Sequence, residues 1–135
     1  MTPFEEDYFQ KFKFTPLQIT RYMESAERDL EIAGKDQFTE VKFTYCYQSL
    51  IKIGMAVLAK KGGVKVRSIT GHHVKILNKL SEIIGDPDIF TIGNAMRMKR
   101  NKDLYDANAI ITKKEVSDYI AFVEGVIKKA KEALK

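Results

Sequence analysis

One cysteine is all the sequence contains, and the acidic residues nearly vanish from its middle third. Cys46 alone excludes an internal disulfide and a multi-cysteine zinc cage, and it fits a reducing, cytoplasmic setting. No uninterrupted apolar run approaches the ~20 residues that a membrane-spanning helix needs. The start of the chain, MTPFEEDYFQ, is acidic and lacks a basic segment followed by an apolar block, so no secretory signal is expected. There is no G-x-x-x-x-G-K-[ST] phosphate loop and no G-x-S-x-G elbow. His72 and His73 are the only histidines. Being adjacent, they point ~100° apart on a helix and cannot share a metal as i, i+4 histidines do. Only Glu82, Asp86 and Asp88 supply carboxylates between positions 41 and 102, which argues against a carboxylate-built metal centre there. No cofactor is expected. Internal repeats, low-complexity tracts and sustained period-2 alternation are also missing.

What is present reads as one soluble domain. The chain has 135 residues, 44% hydrophobic and 30% charged, enough apolar content for a single core and too much for a disordered chain. The charge is segregated. Residues 1–40 carry 5 basic and 9 acidic side chains, residues 41–102 carry 12 and 3, and residues 103–135 carry 6 of each. A basic centre of this kind attracts phosphates or an acidic protein surface.

Helical periodicity dominates. Thr15 and Pro16 open a first helix as cap and first-turn residue. Ile19, Tyr22, Met23, Ala26, Leu30 and Ala33 form its apolar stripe, and Gly34 is its expected stop. Before it, residues 1–14 read as an N-terminal arm or a short helix, with residues 15–135 as the bundle domain. A second helix spans about Asp36 to Lys61, with Phe43, Cys46, Tyr47, Leu50, Ile53, Gly54, Val57 and Leu58 on its buried face. On that stripe Cys46 reads as a small hydrophobe rather than a nucleophile. Gly62-Gly63 ends the helix and a basic connector, Val64 to Thr70, follows. The third helix carries His73, Ile76, Leu77, Leu80, Ile83 and Ile84 and stops at Gly85. Asp86-Pro87 starts a fourth helix that runs to about Lys102, followed by a loop from Asp103 to Ile111. Thr112 and Glu115 form a capping box for the fifth helix, whose buried face is Val116, Tyr119, Ile120, Val123, Ile127, Ala130 and Leu134.

Short connections between long amphipathic helices imply antiparallel neighbours. The expected fold is therefore all-α: an up-and-down four-helix bundle with one additional helix or N-terminal arm. In that layout Lys60, Lys61, Lys65 and Arg67 share one end of the bundle with Arg97, Lys99, Arg100 and Lys102, and His72 and His73 open the third helix at the same level. Two helix N-termini add unpaired N–H groups there. Arg100 stands out, because it falls on the same face of the fourth helix as Ile89, Ile92, Gly93 and Met96. A cation where the pattern asks for an apolar residue is costly unless it is paired or the face opens onto a partner.

The helical layout, the break at Lys61-Gly62-Gly63, the start Gly71-His72-His73 and the segment from Arg97 to Asp106 together resemble the HEPN family (higher eukaryotes and prokaryotes nucleotide-binding). The resemblance runs from about Pro16 to Leu134. Its motif is an Arg, often followed by a polar residue, with a His four to six residues beyond the Arg. In active members two protomers bring their motifs together into a metal-independent ribonuclease site, where His moves the proton at the 2′-oxygen and Arg stabilises charge on phosphate. Many prokaryotic members are toxins or are encoded beside a small nucleotidyltransferase.

Arg100-Asn101 match this motif, and Tyr105 stands where the His is expected. The resemblance thus implies Arg100, Asn101 and Tyr105 as the catalytic-type positions, and the positively charged bundle end adds Arg97, Lys99, Arg67, His72 and His73 as expected phosphate-binding residues. Tyrosine, with an ordinary pKa of about 10, is a poor base at neutral pH. His72 or His73 replacing the missing His is one reading. The simpler one is that one of them caps the third helix and the other packs. The expected function is binding of RNA or nucleotide at a positively charged bundle end. The resemblance further implies a homodimer, and a toxin-type component partnered with a minimal nucleotidyltransferase. The alternatives are a non-catalytic dimerisation or protein-interaction module and a metal-independent ribonuclease.

Overall fold

The computed structural model describes residues 3–105 and 111–135, with the side chains of 103–105 left undescribed. It is the expected all-α bundle. An extended arm carries a short strand, β1 (Phe9–Lys11), and five helices follow: α1 (Pro16–Lys35), α2 (Thr39–Val57), α3 (His72–Ile84), α4 (Pro87–Tyr105) and α5 (Lys113–Ala133). A second strand, β2 (Val64–Val66), lies between α2 and α3. No helix among the described residues is long and apolar enough to cross a membrane.

Local chemistry sets most boundaries as expected. Thr15 and Thr112 accept from the backbone N–H groups of Gln18 and Glu115, and the side chains of those two residues reach back to the cap N–H groups, closing two capping boxes. The Asp86 carboxylate accepts from Asp88 N at 3.0 Å at the head of α4. Gly63 and Gly85 adopt left-handed backbone, φ 60° and 78°, a conformation that a side chain disfavours. Gly34 does not stop α1, which ends one residue later with Asp36 as its cap. The last turn of α2 loosens into a π-type turn over Leu58–Gly62.

The arm is extended rather than helical. β1 pairs antiparallel with β2 in the register Phe9↔Val66, Gln10↔Lys65, Lys11↔Val64. Strands of three residues are too short for alternation to show in the sequence, so neither was expected. The arm is fastened from both sides. Arg67 N donates to Tyr8 O at 2.7 Å, and the Nζ of Lys79, 2% exposed, donates to Pro3 O at 2.9 Å. Lys79 also lies over the Phe4 ring.

With α2 as a ruler, each neighbour can be assigned a direction. α1 descends against it: Ser49 Oγ donates to Ala26 O at 2.7 Å and Lys42 Nζ to Gly34 O at 3.3 Å. α5 ascends, from Tyr119 beside Phe43 to Lys131 paired with Glu27, a residue near the middle of α1 and above the level of Phe43. α4 descends, with Gly93 against Leu50 and then Arg100 over Tyr47. α3 starts at Tyr47, through His73, and reaches Gly54 with Ile76 and Leu80, so it rises alongside α2. α2 and α3 are thus parallel neighbours rather than the antiparallel pair of the expected up-and-down order, because the connector doubles back along the bundle, drawn by its pairing with β1, before α3 begins.

That path corrects the expected placement of the connector cations. Lys60 lies at the end where α1 begins and α5 finishes, in a groove shared with Pro16, Lys131 and Leu134. Arg97 and Arg100 lie toward the other end, where α4 finishes and Lys99 pairs with Glu115 at the start of α5. Lys60 and the two arginines do not share one pole.

The core gathers Phe43, Cys46, Tyr47, Leu50 and Ile53 of α2 with Ile76, Leu77 and Leu80 of α3, Ile89 and Met96 of α4, and Val116, Val123 and Ile127 of α5. Cys46 is fully buried, and burial pushes its thiol up to about 12. It is inert as a nucleophile at neutral pH.

Candidate anion site

Tyr47 is the floor of the site. It lies on the buried stripe of α2 and is itself buried. A buried phenol needs a polar partner for its hydroxyl, and Tyr47 finds one across the helix interface. Its Oη is 2.8 Å from His73 Nδ1. The two rings are tilted, with centroids 5.6 Å apart.

Arg100 closes the other side. Its guanidinium carbon lies 5.6 Å from the Tyr47 centroid, within cation–π range. The pattern of α4 placed this cation among apolar residues, and the structure shows how that is tolerated. The guanidinium leaves the core over an aromatic face and is only half buried. Arg97, also half buried, is one turn earlier, and its Nε donates to Asn94 Oδ1 at 2.9 Å. Every side-chain ion pair among the described residues uses a lysine. Neither Arg97 nor Arg100 has a carboxylate partner among them.

His72 completes the cluster. Its ring lies 4.3 Å from that of His73, edge to face, and its Nδ1–H donates to Ile69 O at 2.7 Å. The cap of α3 is Gly71, in left-handed backbone and without a side-chain bond, so neither histidine caps the helix. His73 packs on Tyr47 instead.

The electrostatics follow from this crowding. Burial, the neighbouring His72, and the charges of Arg100 and Arg97 hold the His73 imidazole down at about 4. Burial also pushes the Tyr47 phenol above its ordinary range, against the pull of Arg100 and Arg97. Both groups are therefore neutral at pH 7 beside two permanent positive charges.

The residues singled out in the sequence divide accordingly. Arg97, Arg100, His72 and His73 come together, with Asn101 half buried one residue beyond Arg100. Lys99 turns to α5, where Glu115 neutralises it. Arg67 is exposed, and its Nε donates to Glu6 O at 3.0 Å in the arm. Tyr105 lies on α4 rather than in a loop, and its side chain falls outside the described residues. Tyr47 was not singled out. The signal was available, because a tyrosine on a fully apolar stripe demands a polar partner, and His73 is the one polar ring on the apolar face of α3. No group of three or more potential metal-ligating side chains occurs among the described residues.

Comparison with family models, curated proteins and solved structures gives no match.

Proposed function

We propose that this protein binds RNA or a nucleotide through phosphate at the cluster of Arg97, Arg100, His72 and His73. One observation carries the reading. Two half-buried guanidiniums stand together beside neutral Tyr47 and His73, with no carboxylate partner among the described residues. Guanidinium presents a planar fork of donors that matches phosphate, and a partly desolvated pair with no carboxylate beside it among the described residues is set up to receive an anion. The basic middle of the chain adds long-range attraction for a polyanion.

The likeness of Arg100-Asn101 to the HEPN motif extends the proposal to a homodimer acting as a toxin-type component beside a minimal nucleotidyltransferase. Met98, 58% exposed on the same helix, and Ile69, 43% exposed beside His72, favour a partner surface next to the site. Sedimentation velocity of the wild type and of Met98→Asp tests the dimer directly.

Binding is tested by fluorescence anisotropy with a labelled single-stranded RNA and a labelled nucleotide over a range of salt concentrations. The expected result is affinity at low salt that falls steeply as salt rises. Absence of binding at low salt, or affinity that stays flat with salt, overturns the proposal. Incubating the same RNA with the protein in a chelator for hours separates binding alone from metal-independent cleavage.

A further inference from the structure

We infer that the anion site is proton-linked: seating a phosphodiester beside Arg97 and Arg100 brings one proton from solvent onto the His73 imidazole, with the Tyr47 hydroxyl reversing its hydrogen bond to match. The inference rests on the binding reading above and concerns what accompanies binding.

The geometry supports it first through the choice of partners. His72 gives its Nδ1–H to a carbonyl, Ile69 O, which only accepts. His73 bonds instead to a hydroxyl, Tyr47 Oη, which both donates and accepts. In the neutral Nε2–H form the phenol donates to Nδ1, and in the imidazolium the phenol accepts from Nδ1–H. The contact between Nδ1 and the hydroxyl is therefore kept in both protonation states. A carbonyl partner, by contrast, holds a proton on Nδ1 in both states. The step adds one proton to a ring nitrogen lone pair and breaks no other bond.

The second support is what faces His73 from each neighbouring element. α4 contributes Arg97 and Arg100, and α3 itself contributes His72. α2 contributes Tyr47. On the side of the arm, Tyr8 lies against Gly71, and the nearby Glu5 is occupied by Lys75 at 2.7 Å. No carboxylate among the described residues offsets the cations around the imidazole. The cluster by itself therefore opposes a further positive charge on His73. An anion seated on the two guanidiniums reverses the sign of the local field and favours the imidazolium. Reciprocity then requires that protonation strengthen anion binding.

The test uses a short oligouridylate with hydroxyl ends, because neither its phosphodiesters nor its bases titrate between about pH 5 and about pH 7. Any linked proton then belongs to the protein. Anisotropy at fixed ionic strength should show affinity rising as pH falls, approaching about tenfold per pH unit where one full proton is taken up. Calorimetry in two buffers of different ionisation enthalpy should report the same proton uptake. His73→Gln should flatten the profile. Should His73→Gln fail to fold, the His73 ring resonances of the wild type serve instead, and their titration midpoint should move up when RNA is added. Binding with a flat pH profile and no proton uptake overturns the inference and leaves the binding reading intact. A slope that persists in His73→Gln, or an RNA-insensitive His73 midpoint, also overturns it. No binding at any pH overturns both.

Discussion

The guanidinium of Arg100 lies over the ring of Tyr47, and the hydroxyl of that ring is bonded to His73. One side chain from α2 thus joins a cation on α4 to an imidazole on α3. Arg100→Ala removes the cation without touching the hydroxyl. RNA affinity should fall, and the slope of log affinity against log salt should shrink by about one unit, as for a lost phosphate contact. Thermal stability should change little, since a half-exposed cation–π contact contributes about 1 kcal/mol. An unchanged salt slope would remove Arg100 from the anion site.

Tyr47→Phe keeps the ring under Arg100 and deletes only the hydroxyl. It leaves His73 Nδ1 without its 2.8 Å partner. The expected loss of stability is about 1 to 2 kcal/mol, the net bond plus part of the cost of an orphaned polar atom. Urea denaturation measures it, and a midpoint equal to that of the wild type would show that the bond contributes nothing.

His73 also predicts an acid sensitivity. Its folded value of about 4 lies below the ordinary 6.5, with burial as the leading cause. Between those values the unfolded chain binds more protons than the folded one. Stability is therefore fully present above pH 6.5 and is lost as pH falls toward 4. Unfolding of His73→Gln should lack this component, which chemical denaturation across that pH window would reveal.

Two glycines should respond to alanine in opposite ways. A Cβ on Gly93 would stand 2.8 Å from Leu77 Cδ2 and 3.2 Å from Leu50 Cδ2, both in fully buried side chains. Gly93→Ala should destabilise by about 1 to 2 kcal/mol, overpacking outweighing the gain in helix propensity. Around Gly125 nothing lies within 4 Å of the added carbon. Gly125→Ala should stabilise by about 0.5 to 1 kcal/mol. Melting temperatures of the two variants would settle both signs.

Lys79 anchors the arm through Pro3 O. Lys79→Ala should release the segment before Phe14 and speed its removal by trypsin, which cuts after Lys11 and Lys13. Limited proteolysis followed by mass spectrometry tests this, and wild-type cleavage rates would show that β1–β2 pairing alone holds the arm.

The sequence by itself determined the helices and most of their ends. A threonine with a glutamine or glutamate three residues on, a proline in the first turn, and a glycine in left-handed backbone act within one or two turns, so their effects are readable locally. The apolar stripes were equally legible, and they marked Arg100 as a cation facing inward. Only the tertiary structure decided which way α3 runs, because the path of its connector is set by pairing between Val66 and Phe9, residues far apart in the chain. That path carried Lys60 away from the site, brought His73 to mid-height on α2, and gave Tyr47 a role that periodicity reads as plain core. Convergence of side chains from three helices depends on how the helices pack, which no local signal encodes.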